Sequence, residues 1–306
     1  MLQKKIIAIS IGDVNGIGLE IALKAHEHII KFVDPIYCID RTLLIQGAKL
    51  LYTKIPKNFS ITDDINQYVK IKPGKISKKS GYYSYLSFIK AINLAQNNIV
   101  DGIVTLPIHK EAWAKAGIKY KGHTDLLREY FKQDAIMMLG CSKMYVALYT
   151  EHIPLKKVSK AIKTKKLIKF LLELSNSLNI EEIDKIPVLG LNPHAGDNGV
   201  LGNEELIIKK AIKKVNKIIQ KELFFGAVVP DIAFSPNFRK NYNYFVAMYH
   251  DQGLAPLKAL YFDESINVSL NIPIKRSSVD HGTAFDIAYK NRASVLSYIN
   301  AVKYLS

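Results

Sequence analysis

Three histidines follow apolar, strand-like runs. His152 sits in Thr150-Glu151-His152-Ile153-Pro154, His194 in Asn192-Pro193-His194-Ala195-Gly196, and His250 in Tyr249-His250-Asp251-Gln252-Gly253. Three neutral imidazoles can hold one divalent cation and leave positions open for a substrate. Their separations of 42 and 56 residues exclude a local finger-type site. In an open α/β sheet, however, the carboxyl ends of the strands line one crevice, where distant residues can meet. A single histidine is more often structural. The shared strand-end setting is what favours reading the three together.

A second group suits anions. Lys258, Asn267 and Arg276, the last opening Arg276-Ser277-Ser278-Val279-Asp280-His281-Gly282-Thr283, offer two cations and an amide to a phosphate and a carboxylate. The alternative is a surface loop with ordinary salt bridges. Gly122-His123-Thr124-Asp125 places a titratable ring at a helix start, where a simple capping turn is the competing reading. Near the N-terminus, Gly12-Asp13-Val14-Asn15-Gly16-Ile17-Gly18 joins a strand to a helix. Glycines there let backbone N–H groups approach an anion. The spacing matches neither the dinucleotide fingerprint nor the P-loop, so a tight turn is an equal alternative.

These residues need a scaffold. Strand-like runs at Lys5–Ile11, Pro35–Ile39, Ile103–Leu106, Pro187–Leu191 and Phe245–Tyr249 alternate with segments of helical period. The helical segments are Gly16–Phe32, Arg41–Tyr52, Ser84–Gln96, Ile168–Leu178, Glu204–Gln220, Ala284–Tyr289 and Ser294–Tyr304. Ala135–Leu139 and Tyr145–Tyr149 look like paired strands, and Lys72–Ser80 like a loop. The alternation predicts an α/β fold with a parallel or mixed sheet.

Composition narrows the class. The 306 residues are 48% hydrophobic and 23% charged, as in ordinary globular chains, and suffice for two domains or one large one. The formal charge of +16 invites a polyanion partner. Only five basic residues are arginine, and the lysines scatter along helical stretches, as on solvated faces. No nucleic acid and no membrane are expected as partners. The longest apolar run, Leu223 to Pro230, is far below the roughly 18 residues of a membrane span. Met1 to Lys5 lead straight into a strand without a leader's apolar stretch, and Cys38 and Cys141 read as buried small hydrophobes. A cytoplasmic protein is expected.

Taken together, Gly12-Asp13 through Glu20, Pro107–Lys110, Gly122–Asp125, NPHAGDNGVLGNEE (192–205), YHDQGLAPLK (249–258) and RSSVDHGTAF (276–285) resemble the 4-hydroxythreonine-4-phosphate dehydrogenase (PdxA) family, in the family's order. The resemblance implies a two-domain fold like isocitrate and isopropylmalate dehydrogenases, its lobes interleaved across residues 1–306 and its active site in the interdomain cleft. It implies NAD- and metal-dependent oxidation and decarboxylation of 4-phosphohydroxy-L-threonine to 3-amino-2-oxopropyl phosphate, on the route to pyridoxal phosphate. NADP could replace NAD, and the ion would be Zn, Co or Mg. A homodimer is implied, with the metal site at or near the subunit interface. By position, His152, His194 and His250 are the metal ligands, and His123, Thr124, Lys258, Asn267 and Arg276 bind substrate. His123, Asp231, Asp251 and Lys258 are acid–base candidates. Gly12, Asp13, Gly16 and Gly18 are a weaker cofactor-binding set. Val14 and Leu19 stand where the family usually has proline, His109 where a small polar residue is usual, and Asn271 where glycine is common. Rival readings are a dehydrogenase of a phosphorylated sugar acid such as 4-phospho-threonate or erythronate, an acyl or phosphoryl transferase, and a non-catalytic basic binding protein on the same fold.

Overall fold

The computed structural model describes residues 3–306; Met1 and Leu2 lie outside the described residues. In chain order the strands are β1 (Lys5–Ser10), β2 (Val33–Cys38), β3 (Ser60–Ile61), β4 (Gly102–Thr105), β5 (Ile136–Cys141), β6 (Met144–Leu148), β7 (Ile186–Leu189), β8 (Phe224–Val228), β9 (Tyr244–Ala247), β10 (Ile266–Leu270) and β11 (Arg276–Val279). The helices are α1 (Gly18–Ile29), α2 (Arg41–Leu50), α3 (Lys78–Gln96), α4 (Lys110–Lys115), α5 (His123–Phe131), α6 (Val158–Ala161), α7 (Thr164–Ser177), α8 (Glu204–Ile219), α9 (Pro230–Ala233), α10 (Pro236–Arg239), α11 (His250–Tyr261) and α12 (Leu296–Leu305). This is a mixed α/β fold. The chain forms two compact units, residues 1–133 with 266–306, and residues 134–265.

In the first unit the strand order is β3-β2-β1-β4-β11-β10. All neighbours run parallel except β10 with β11. β4 and β11 are buried throughout, as strands covered on both faces must be. A core of Ala8, Cys38, Phe88, Ile92, Ile103 and Trp113 packs where α3 lies on β1, β2 and β4. Each fully buried Ile or Phe side chain there contributes about 1.5–3 kcal/mol. Gly12 (φ +71°) makes the first strand-to-helix turn. A Cβ at Gly12 would stand 2.3 Å from the Pro107 carbonyl oxygen, so no other residue fits.

In the second unit the order is β5-β6-β9-β7-β8, with β6, β9, β7 and β8 parallel and β5 antiparallel to β6. α11 lies on β6 and β9 because Gly253 has no side chain; a Cβ there would meet Val146 at 2.5 Å.

The structure corrects two local expectations and adds one helix. The Lys72–Ser80 loop ends early: Ser77 caps α3, its Oγ accepting from the Ser80 N–H at 3.1 Å, so the helix starts six residues before Ser84. Ala284–Tyr289 is not helical, because Ala284 and Tyr289 take φ of 42° and 60° and Tyr289 is buried, donating its hydroxyl to the Val14 carbonyl at 2.7 Å. His250–Tyr261 is a helix despite Gly253 and Pro256, the breakers that hid it. Both cysteines are free and buried. No helix among the described residues is long and apolar enough to cross a membrane.

Candidate active site

The first unit builds an anion pocket from one sheet face. Strand register pairs Ser269 with Arg276, Asn267 with Ser278, and Ser278 with Thr105. Side chains alternate across a strand, so these five share a face. Arg276 is 2% exposed. Its Nη1 donates to Ser269 Oγ at 2.9 Å, and its Nη2 and Nε donate to Thr105 Oγ1 at 2.7 and 3.2 Å. Among the described residues no carboxylate forms a salt bridge with it. Burial pushes its pKa down to about 9, leaving it a cation at neutral pH. A buried charge held only by hydroxyls is costly unless an anion completes it. The surface-loop alternative for Arg276 is thus replaced by a buried strand.

His123 opens α5, and its ring stands edge-on to Phe88 and Trp113 at centroid distances of 4.6 and 5.9 Å. Burial, then the nearby Arg276 charge, hold its pKa well below the ordinary 6.5, so it is neutral at pH 7. Its Nε2 and the Asn267 Oδ1 are enclosed without hydrogen-bond partners. Two orphaned polar atoms beside an uncompensated guanidinium describe a place for a polar, anionic ligand. Thr124, the next residue of α5, is half-buried.

The depressed His123 pKa has a stability consequence. Above pH 6.5 both the folded and the unfolded chain carry a neutral ring there. As pH falls through 6.5, the unfolded chain takes a proton that the folded one refuses, and folding loses up to about 1.4 kcal/mol per pH unit. His123→Asn should therefore lose less stability than the parent between pH 7 and pH 5, as read from urea midpoints. Equal losses would contradict a neutral ring with an enclosed Nε2.

The second unit arranges the metal-binding candidates. β6, β9 and β7 are adjacent and parallel, and His152, His250 and His194 follow their carboxyl ends in that spatial order. Thr150 Oγ1 donates to the Met248 carbonyl at 2.7 Å, and Gln252 Nε2 to the Gly190 carbonyl at 2.7 Å, tying the three ends together. His152 and His250 come together, with ring centroids 5.5 Å apart. His250 Nδ1 and Asp251 Oδ1 are 2.8 Å apart, an arrangement that orients a ligand imidazole and frees its Nε2. His194 is exposed in the next loop. Among the described residues, no three His, Cys, Asp or Glu of one chain are gathered for a metal ion. One chain therefore brings together two of the three expected ligands. Asp231, exposed at the start of α9, follows β8 on the same edge of the sheet. Lys258 is half-buried on α11, its Nζ 5.1 Å from the Phe262 ring centre.

The Gly12–Gly18 turn offers no open cradle. Gly12, Asp13, Gly16 and Gly18 are buried, and Asp13, Asn15, Gly16 and Ile17 give their N–H groups to Pro107 O, Asp13 Oδ1, Asp13 O and Thr283 O. These contacts fit the tight-turn alternative. Burial raises the Asp13 carboxyl above its ordinary pKa.

Two departures acquire reasons. Asn271 has φ +58°, where asparagine is the common substitute for glycine. His109 caps α4, its Nδ1 accepting from the Ala112 N–H at 3.4 Å, and stacks on Phe285 at 4.8 Å. Sequence reading missed Thr105, Ser269 and Ser278 around Arg276, and Gln252 and Glu205 beneath the histidines. The alternation Asn267-x-Ser269 was visible, but its partner strand was not.

The chain is similar to known proteins along nearly its whole length. The sequence pattern of the family described as "Pyridoxal phosphate biosynthetic protein PdxA" matches residues 31–305. A 4-hydroxythreonine-4-phosphate dehydrogenase from Sulfurimonas denitrificans is 63% identical, covering 99% of this chain and 97% of its own. One from Campylobacter fetus is 54% identical, covering 97% and 96%. The crystal structure of a 4-hydroxythreonine-4-phosphate dehydrogenase from Klebsiella pneumoniae superposes with a TM-score of 0.85 at 29% identity, covering 99% and 97%. The chain is an oxidoreductase and belongs to the PdxA family of pyridoxal phosphate biosynthetic proteins.

Proposed function

We propose that the chain oxidises and decarboxylates 4-phosphohydroxy-L-threonine to 3-amino-2-oxopropyl phosphate, acting as a cytoplasmic homodimer with the isocitrate dehydrogenase-like two-domain fold that the family resemblance implies. The observation that carries this reading is the buried, uncompensated Arg276 beside neutral His123 and the orphaned Asn267 Oδ1. Such a pocket fits the phosphate end of the substrate. A bidentate guanidinium matches phosphate oxygens, and Thr105 and Ser269 hold its plane.

His152 and His250, with Asp251 behind one of them, fit a divalent cation as two ligands. His194 would complete the set from a second copy of the chain, in keeping with the metal site at the subunit interface that the family resemblance implies. When bound, the ion (Zn, Co or Mg) supplies Lewis acidity at the substrate hydroxyl, and NAD or NADP accepts the hydride.

The residues do the remaining work. Oxidation removes a proton from the hydroxyl oxygen and leaves a ketone β to the carboxylate. The bond to the carboxylate then breaks, its electrons move toward the ketone oxygen, and a proton returns to the carbon that lost carbon dioxide. Lys258 supplies positive charge where oxygen becomes negative. His123, neutral at pH 7, can take up and return a proton once the anionic substrate offsets the Arg276 charge, and Asp231 and Asp251 are carboxylates at the strand ends for the other transfer. Thr124 and Asn267 add hydrogen bonds to the substrate. Asp13 and the glycines Gly12, Gly16 and Gly18 fix the first turn rather than carry the reaction.

Turnover of a substrate panel tests this. NADH absorbance should rise with 4-phosphohydroxy-L-threonine and match released carbon dioxide one for one. Turnover of only 4-phospho-threonate or erythronate would move the reading to the sugar-acid dehydrogenases. No NADH from any hydroxy acid would revive the transferase or non-catalytic alternatives.

A further inference from the structure

The loop that carries His194 is held in an unfavourable shape. His194, Ala195, Asp197 and Asn198 have φ of 52°, 51°, 41° and 56°, and Gly196 has 78°. Left-handed backbone costs non-glycine residues about 1–3 kcal/mol each and persists only where the surroundings over-determine it. Within one chain most of this loop is exposed, so the chain's own packing above it does not supply the constraint.

The constraint comes from below. Glu205, in the first turn of α8, is 3% exposed. Its Oε1 accepts from the backbone N–H groups of Leu191 and Asn192 at 2.9 and 2.8 Å. Its Oε2 accepts from Asn192 Nδ2 at 3.0 Å. The loop is shaped around this carboxylate: a Cβ at Gly196 would stand 2.5 Å from Glu205 Oε2, and a Cβ at Gly202 would stand 2.2 Å from Asn192 Nδ2. Asn192 Nδ2 also donates to Glu204 Oε2 at 2.9 Å, and Ser159 Oγ donates to Glu204 Oε1 at 2.5 Å. The same acidic pair thus grips the segment that follows His152 and the loop that bears His194. The α8 N-terminus, with its positive dipole end, suits both carboxylates.

We propose that Glu205, acting through Asn192, is a positioning residue that presets the His194 loop for metal binding. It does not touch the substrate or the ion. It rests on the reading of His194 as a metal ligand, and the experiment separates the two.

Cobalt(II) and zinc(II) binding to the full-length apo protein would be measured by calorimetry and by the visible absorption of bound cobalt. The variants are His194→Ala, Glu205→Ala, Glu205→Gln and Asn192→Ala. Glu205→Ala and Asn192→Ala should weaken binding about 10- to 100-fold, the range for outer-shell partners, with altered cobalt absorption. Glu205→Gln keeps an acceptor for the two backbone N–H groups and should lie closer to the parent than to Glu205→Ala. Should Glu205→Ala fail to fold, Asn192→Ala decides, since it removes the bridge and leaves the buried carboxylate with its backbone donors. Parent-like cobalt binding by Glu205→Ala, or by Asn192→Ala in its place, alongside lost binding in His194→Ala, overturns the positioning role and spares the metal reading. Parent-like binding by His194→Ala overturns both.

Discussion

Replacing Arg276 with methionine should cut kcat/KM for the phosphorylated substrate by roughly 30-fold to several thousandfold while leaving the apo protein as stable as before, or more so. The first effect follows from removing one partner of a buried charge pair, which costs about 2–5 kcal/mol, at about 1.4 kcal/mol per tenfold. The second follows from the empty pocket. Arg276 is 2% exposed and rests on the hydroxyls of Thr105 and Ser269, with no carboxylate in a salt bridge among the described residues. An apolar side chain of similar length removes that desolvation cost. Thermal unfolding in anion-free buffer checks it, and inorganic phosphate provides a second reading. Phosphate should raise the parent's midpoint by mass action and leave that of the variant unmoved. Equal weakening of phosphate substrate and NAD, or a collapsed apo midpoint, would show Arg276 to be a structural residue instead.

His194→Ala should abolish metal retention and reduce turnover by more than the 10- to 100-fold typical of outer-shell changes, with the fold intact. The fold survives because the side chain is exposed. The shared-site proposal adds a sharper result. His194→Ala and His250→Ala should each be inactive alone, yet regain activity when the two are mixed and allowed to exchange subunits. One site of the mixed dimer would then hold His152 and His250 from one copy and His194 from the other. No recovery in a population shown by mass to contain mixed dimers would place all three ligands in one chain.

Much of the fold was legible in local patterns. The runs around Ile7, Ile36, Val104, Val188 and Val246 are apolar and short, and they became strands within a residue or two of their expected places. Helices whose apolar spacing was unbroken, such as Glu204–Ile219, were equally plain. Failures came where local chemistry and tertiary context disagree. Gly253 and Pro256 disguised a helix that exists because a bare backbone can approach Val146. Ala284–Tyr289 has helical spacing, but Tyr289 is pulled into the core by its bond to the Val14 carbonyl.

The site divides along the same line. Sequence alone named the chemistry: imidazoles at strand ends, a cation and amide for phosphate, and the family to which their motifs belong. Residue type and local order carry that much, because they decide what each group can bond. Only the tertiary structure decided the company each group keeps. It set Ser269 opposite Arg276 and Thr105 under its guanidinium, and left that cation without a salt-bridging carboxylate among the described residues. It brought His152 to His250 and put Glu205 beneath the loop of His194. Strand order and register join residues far apart in the chain, and burial then decides which of their charges stay uncompensated. Neither is a property of any local window of sequence.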